Sequence, residues 1–291
     1  MAGIKEIRTR IASVTSTQKI TSAMKMVSAA KLRKAQQSVL QMRPYAEKLQ
    51  EILHTITEQL AETNSNNKYA TVREEETVVI VAIASNGGLC GGFNSNISKA
   101  VVSLYKSYSH TNVQVYAIGK KVCDGLKSRG IIPHKAFIDI FDDLSYENVS
   151  LLAAELMELF VQAKIDKVIL LYNSFKNAAT QVVTEQQFLP IVQTETNQET
   201  DIAFAKDYIF EPTKEYIVTE LIPRSLKIQF YSAILESYAS EHGARMTAMH
   251  KATDNASDLL RELRIQYNKA RQASITNEIL EIVGGANALK A

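Results

Sequence analysis

The chain has 291 residues, 46% of them hydrophobic, and a net charge of only +2. That is enough apolar material for one large or two modest cores. The longest aliphatic run, Val78 to Ala84, is too short to span a bilayer, "MAGIKEIRTR" lacks a signal-peptide core, and Cys90 and Cys123 have no metal spacing and suit a reducing compartment, so a soluble chain is expected, one that partners could hold beside a membrane.

The N-terminal 60 residues read as one long helix. Between Gly3 and Gly87 there is no glycine, and the only proline is Pro44, which is expected to kink the helix or mark a joint. From Ile4 to Leu60 an alternating 3–4 spacing runs through 17 positions, 13 of them apolar, as in a coiled coil. The exceptions are consecutive: Gln18, Thr21, Lys25 and Ser28. Within that gap the apolar residues move to another face, at Ile20, Met24 and Val27, so the seam is expected to be open there or covered by a third surface. Residues 1–43 also carry nine Lys/Arg against Glu6 alone, a net +8. Such an arm suits nucleic acid or acidic protein loops.

The middle alternates strand and helix. "TVVIVAIA" is a buried strand, and "SNGGLCGGFN", residues 85–94, follows it. Gly87 and Gly92 match the first half of a phosphate-binding loop, but Phe93 and Asn94 stand where Lys and Ser or Thr are required. A tight turn with several positive φ angles is therefore expected instead of a phosphate site. Next come the helix "NISKAVVSLYKSY", the strand "NVQVYAIG", the helix "KKVCDGLKSRG" and the strand "IPHKAF". The helix "YENVSLLAAELMELFVQAK" and the strands "KVILLYNSF" and "TQVVTEQQFLPI" close the domain, a βαβ pattern with a parallel sheet at its centre. Residues 193–201, "QTETNQETD", read as a linker.

The C-terminal end returns to helix. Pro212 suits the first turn of a short helix, "EPTKEYIVTELI", which Pro223 is expected to separate from a longer one. That longer helix carries a second 3–4 register through Ile228, Leu235, Met249, Ala256, Leu259, Leu263, Ala273 and Leu280, interrupted by His242, Arg245, Gln266 and Asn277. Gly284-Gly285 is a natural stop. At ~1.5 Å per residue, sixty helical residues reach roughly 90 Å. The fold expected is thus α/β, a long antiparallel coiled coil of the two terminal helices with an inserted Rossmann-like domain. Its parts are an N-terminal helix over 1–60, an α/β domain over 75–192 and C-terminal helices over 207–291. No catalytic or metal constellation is present: the five histidines show no HExxH or paired spacing, and Cys90 reads as a buried structural thiol.

"KEIRTRIASVTSTQKITSAMKMVSAAKLRKAQ", "ARMTAMHKATDNAS" and "YNKARQASITNEILEIVGGA" resemble the shaft helices of the γ subunit of F-type ATP synthases, and "GLCGGFN" resembles that family's glycine turn. The similarity covers essentially the whole chain, with one visible departure: Gly87 stands where the family often has Arg. The resemblance implies a central rotor shaft, with no active site of its own and no cofactor. Its implied partners are the α and β subunits, which bind the nucleotide, together with the ε subunit and the membrane c-ring. The location implied is the cytoplasmic face of the bacterial inner membrane, with no nucleic acid bound. The family's contact residues correspond to Met24, Lys25, Arg245, Arg271, Gln272, Thr276 and Glu278, and Ile279, Leu280, Ile282 and Val283 to an apolar bearing. The alternatives on the residues alone are a coiled-coil adaptor with a ligand-sensing α/β domain, and an enzyme using the middle domain.

Overall fold

A computed structural model describes residues 3–60, 68–108, 110–191 and 214–288. Five helices and five strands alternate in it: α1 (Ile4–Leu60), β1 (Thr77–Ile83), α2 (Phe93–Ser107), β2 (Asn112–Ile118), α3 (Lys120–Lys127), β3 (Lys135–Phe137), α4 (Tyr146–Val161), β4 (Lys167–Phe175), β5 (Gln181–Leu189) and α5 (Lys214–Ala288). Every strand and helix expected in the middle of the chain is present. The linker at 193–201 and Pro212 lie outside the described residues. The chain divides into two compact units, residues 29–244 and residues 1–28 with 245–291.

In the larger unit the sheet order is β3-β2-β1-β4-β5. β1, β2, β3 and β4 are parallel to their neighbours, and β5 runs antiparallel to β4. β1 is buried on both faces, which is why its sequence is a continuous aliphatic run without alternation. Val79, Val81 and Ile83 pack toward α4 and the start of α5, through Leu156, Phe160, Leu226 and Phe230. Val78, Ile80 and Ala82 face α2 and α3, through Ile97, Val101, Val122 and Leu126. Ser145 caps α4 by accepting from the Asn148 N–H at 3.4 Å.

Two expected breaks, at Pro223 and at Gly284-Gly285, do not occur. Both prolines lie inside continuous helices. An interior proline removes one N–H bond and crowds the carbonyl four residues back, a loss of about 3 kcal/mol. The apolar stripe keeps its phase across each: Leu32, Ala35 and Leu49 are buried around Pro44, and Ile222, Leu226, Phe230, Ala233 and Ile234 are buried from Pro223 onward. Each fully buried aliphatic or Phe side chain contributes roughly 1.5–3 kcal/mol, so the stripe outweighs the proline. Tyr45, beside Pro44, lies 6.0 Å beneath the guanidinium of Arg224, beside Pro223. The Gly284-Gly285 stop is absent too, for α5 runs on to Ala288. Neither glycine takes a positive φ, and glycine permits the left-handed cap without imposing it.

The smaller unit holds the first turns of α1 against the last part of α5. Gln18 pairs with Ser257, Thr21 with Thr253 and Lys25 with His250. Residue numbers fall on one helix as they rise on the other, so the pair is antiparallel, as expected.

Candidate functional site

In a doubly wound sheet a ligand binds outside the carboxyl ends of the strands, where the strand order reverses. Here that point lies between β1 and β4, and the glycine turn follows β1. Its interior is filled by its own side chains. Asn94 Oδ1 accepts from the Ser85 N–H at 3.1 Å, and Asn94 Nδ2 donates to Gly87 O at 3.2 Å and approaches Cys90 Sγ at 3.1 Å. Ser85 Oγ donates to Gly87 O at 2.6 Å. Asn86 ties the turn to the residue after β3 and to the start of α3, donating to Ile138 O at 2.8 Å and accepting from the Lys120 N–H at 2.9 Å. Positive φ angles occur at Leu89 and Gly91, so one of the two left-handed positions is not glycine. Asn94, read from sequence as a missing ligand, is the brace of the turn.

α5 lies against the carboxyl end of β4. Ser174 Oγ donates to Glu236 Oε2 at 2.8 Å. One turn pair further along, a Cβ on Gly243 would meet Ala178 Cα and O at 3.3 Å and Phe175 Cε2 at 3.4 Å, so glycine is what lets helix and hairpin approach. Cys90 is buried, as read, and so is Cys123, whose thiol burial pushes upward, away from the reactive thiolate. His242 is buried, edge-on to the Tyr238 ring at 4.4 Å.

The expected contact residues all fall in the smaller unit. There the polar gap in α1 is neither open nor covered by a third surface: Gln18, Thr21, Lys25 and Ser28 face α5. Thr21 is 8% and Ser28 2% exposed, whereas Ile20 and Val27 are 57% and 58% exposed. The helix is inverted at this point, polar inside and apolar outside, because serine and threonine on α5 supply hydrogen-bond partners. Gln18 Nε2 donates to Ser257 Oγ at 2.7 Å, and the Thr21 and Thr253 hydroxyls meet at 2.9 Å. Lys25 Nζ lies 3.5 Å from His250 Nδ1. The 3–4 register on α1 thus marks the seam correctly even where its residues are polar. Thr253, Ser257 and His250 were missed, being one residue beyond expected seam positions; the signal was their match to three polar positions on the facing helix.

Met24 is half-buried beside this ladder, and Arg245 is buried on α5. Arg271, Gln272, Thr276 and Glu278 are exposed, and Thr276 Oγ1 donates to Gln272 O at 2.9 Å. Two seam positions on α5 need correction. Leu259 is exposed while Leu260 is buried; a 3–4 and a 4–3 spacing both connect Ala256 to Leu263, and adjacent leucines leave the choice to packing. Ala273 and Leu280 are also exposed, because antiparallel pairing matches Ile4 to about residue 271, so α1 ends before it reaches them. From Ile275 to Ala286 every residue of α5 is exposed. Ile275, Ile279, Ile282 and Val283 stand at i, i+4, i+7 and i+8, an apolar stripe on one face.

An antiparallel two-helix seam, an uncovered helical end and an α/β domain whose turn is self-braced define a helical stalk subunit. The family model described as ATP synthase matches residues 3–289. The chain is 56% identical over 290 residues to the ATP synthase gamma chain of Christiangramia forsetii and 56% identical over 289 residues to that of Flavobacterium johnsoniae, each alignment covering 99% of both chains. Its fold is similar to a chain in the central stalk and c-ring structure of the Tetrahymena thermophila mitochondrial ATP synthase, with TM-score 0.59 and 26% identity over 80% of this chain and 99% of that one. It is also similar to a chain of the Euglena gracilis mitochondrial ATP synthase rotor, with TM-score 0.66 and 19% identity over 94% and 98%. The chain belongs to the γ-chain family of F-type ATP synthases, and its role is that of the central rotor shaft.

Proposed function

We propose that this shaft turns inside a head of α and β subunits and biases each catalytic subunit by contacts that change with its angle. The carrying observation is the uncovered end of α5, residues 275–286, whose apolar stripe suits a close-fitting collar. Coupling requires contacts whose free energy differs between rotational positions, because a contact equally good at all angles shifts nothing. Met24, Lys25, Arg245, Arg271, Gln272, Thr276 and Glu278 supply such contacts in this reading, and the stripe with Leu280 supplies a smoother bearing. The exposed arrangement of the last four and the polar setting of Lys25 support it.

In the same reading 1–60 and 207–291 form the shaft, and 75–192 meets the ε subunit and the c-ring. The chain contributes no active site; the self-braced glycine turn supports that, since Asn94 spends its amide on Ser85 and Gly87 of the same turn. No described helix is long and apolar enough to cross a membrane, so attachment to the cytoplasmic face of the inner membrane runs through those partners. Coexpression with tagged α and β subunits tests the proposal. Retention of the chain through size-exclusion chromatography is expected, and its elution alone at micromolar concentration contradicts it.

A further inference from the structure

Three polar rungs join α1 and α5. Ser257 Oγ donates to Thr253 O at 2.9 Å, so it accepts from Gln18 Nε2. Thr253 Oγ1 donates to Met249 O at 2.8 Å and Thr21 Oγ1 to Gln18 O at 3.1 Å, so in their 2.9 Å contact either hydroxyl can be the donor. The third rung differs in kind, because its acceptor can itself take up a proton. An ammonium has three donors and no acceptor capacity. Lys25 Nζ therefore engages His250 Nδ1, at 3.5 Å, only when that nitrogen is bare. The same Nδ1 lies 3.3 Å from Asp254 Oδ2, one turn further along α5, and that contact is attractive only when Nδ1 carries hydrogen. One ring nitrogen cannot serve both partners at once.

We propose that His250 is the positioning residue for Lys25: its neutral ring holds the ammonium against the seam, and its protonated ring turns to Asp254 and releases Lys25 outward. Among the described residues, the charged groups in contact with the ring are Lys25 from α1 and Asp254 from its own helix. The ring is more than half exposed, so bulk protons reach it. Protonation sets a cation against a cation on one side and completes an i, i+4 ion pair on the other. The functional consequence rests on the reading of Lys25 as a partner contact, and its deprotonated limit is a shaft with Lys25 retracted.

The test has two arms. Nitrogen NMR of the full chain is expected to show the neutral ring with its hydrogen on Nε2, and the ring signals are expected to move on Lys25→Met. Hydrogen on Nδ1 of the neutral ring, or a ring indifferent to Lys25→Met, overturns the inference. In the assembled complex, His250→Gln retains a neutral acceptor that does not titrate. ATP hydrolysis by wild type and His250→Gln is expected to coincide at pH 8.5 and to diverge at pH 5.5 by about 1.5- to 5-fold, the range of exposed charge contacts. Superimposable profiles overturn the release step, provided Lys25→Gln itself alters hydrolysis. If Lys25→Gln changes nothing at any pH while the NMR result holds, the positioning stands and the partner-contact reading fails.

Discussion

Replacing Arg271 and Gln272 together by alanine separates folding from contact. Both side chains are exposed, and the side-chain hydrogen bond made to Gln272, from Thr276 Oγ1 to Gln272 O, uses the main chain and survives. Alanine is the best helix former, so the substitutions change the helix by a few tenths of a kcal/mol at most. Against a partner the balance is different. A charge-assisted hydrogen bond from Arg271 is worth about 1.5–3 kcal/mol and a neutral one from Gln272 about 0.5–1.5 kcal/mol. Together they come to roughly 2–4.5 kcal/mol, where each 1.4 kcal/mol is about tenfold in an equilibrium constant. The double variant should therefore keep its helical circular dichroism and melting temperature as a purified chain. In the assembled complex, steady-state ATP hydrolysis should fall by roughly tenfold or more, with weaker retention of the chain. An unchanged turnover rate with full retention refutes the contact; a lost helical signal in the isolated chain refutes the claim that these residues are spare to the fold.

Three further substitutions test the larger unit. Gly119→Ala places a Cβ 2.2 Å from Ala84 O at a φ of 102°, so the urea midpoint should drop sharply, by more than the ~1–3 kcal/mol of backbone strain alone. Phe160→Ala empties a fully buried site beneath the Arg73 guanidinium and should destabilise by about 3–5 kcal/mol in denaturant titration. Burial, with the Glu236 carboxylate adding to it, pushes the Tyr172 hydroxyl up to about 12 from an ordinary value of 10.0. Because the folded form then holds its proton longer than the unfolded one, this stabilisation is present below pH 10 and lost as pH rises toward 12. Tyr172→Phe should start about 1 kcal/mol less stable, having lost the 3.0 Å bond to Gln186, and should show a shallower alkaline loss in urea titrations at pH 9 and 11.

The sheet was legible because its central strands β1 and β4 are hydrophobic runs bounded by turn residues, and burial on both faces of β1 leaves no ambiguity of phase. Seam positions on α1 were legible by spacing alone, down to the polar Thr21 and Ser28. What spacing could not supply was the other half of each pair. Nothing in α1 says that Thr253 and Ser257 wait opposite, so a polar gap read as an open seam. Leu259 and Leu260 show the same limit, since both satisfy the period and only the partner helix chooses between them. Pro223 misled for a related reason: a local rule worth about 3 kcal/mol competes with a stripe of buried side chains that belongs to the whole unit. Asn94 was read only as an absent lysine or serine, because its role as a brace depends on where Ser85 and Gly87 are brought by the turn.

The central claim, that this chain is what turns, is tested most directly by watching it. Ile132 is 82% exposed and both native cysteines are buried, so Ile132→Cys offers a single reactive thiol for a gold rod or bead on the assembled complex anchored by its head. On addition of ATP the probe should rotate in one sense, at a rate that follows hydrolysis. A complex that hydrolyses ATP at its normal rate while the probe on residue 132 stays fixed relative to the head contradicts the account.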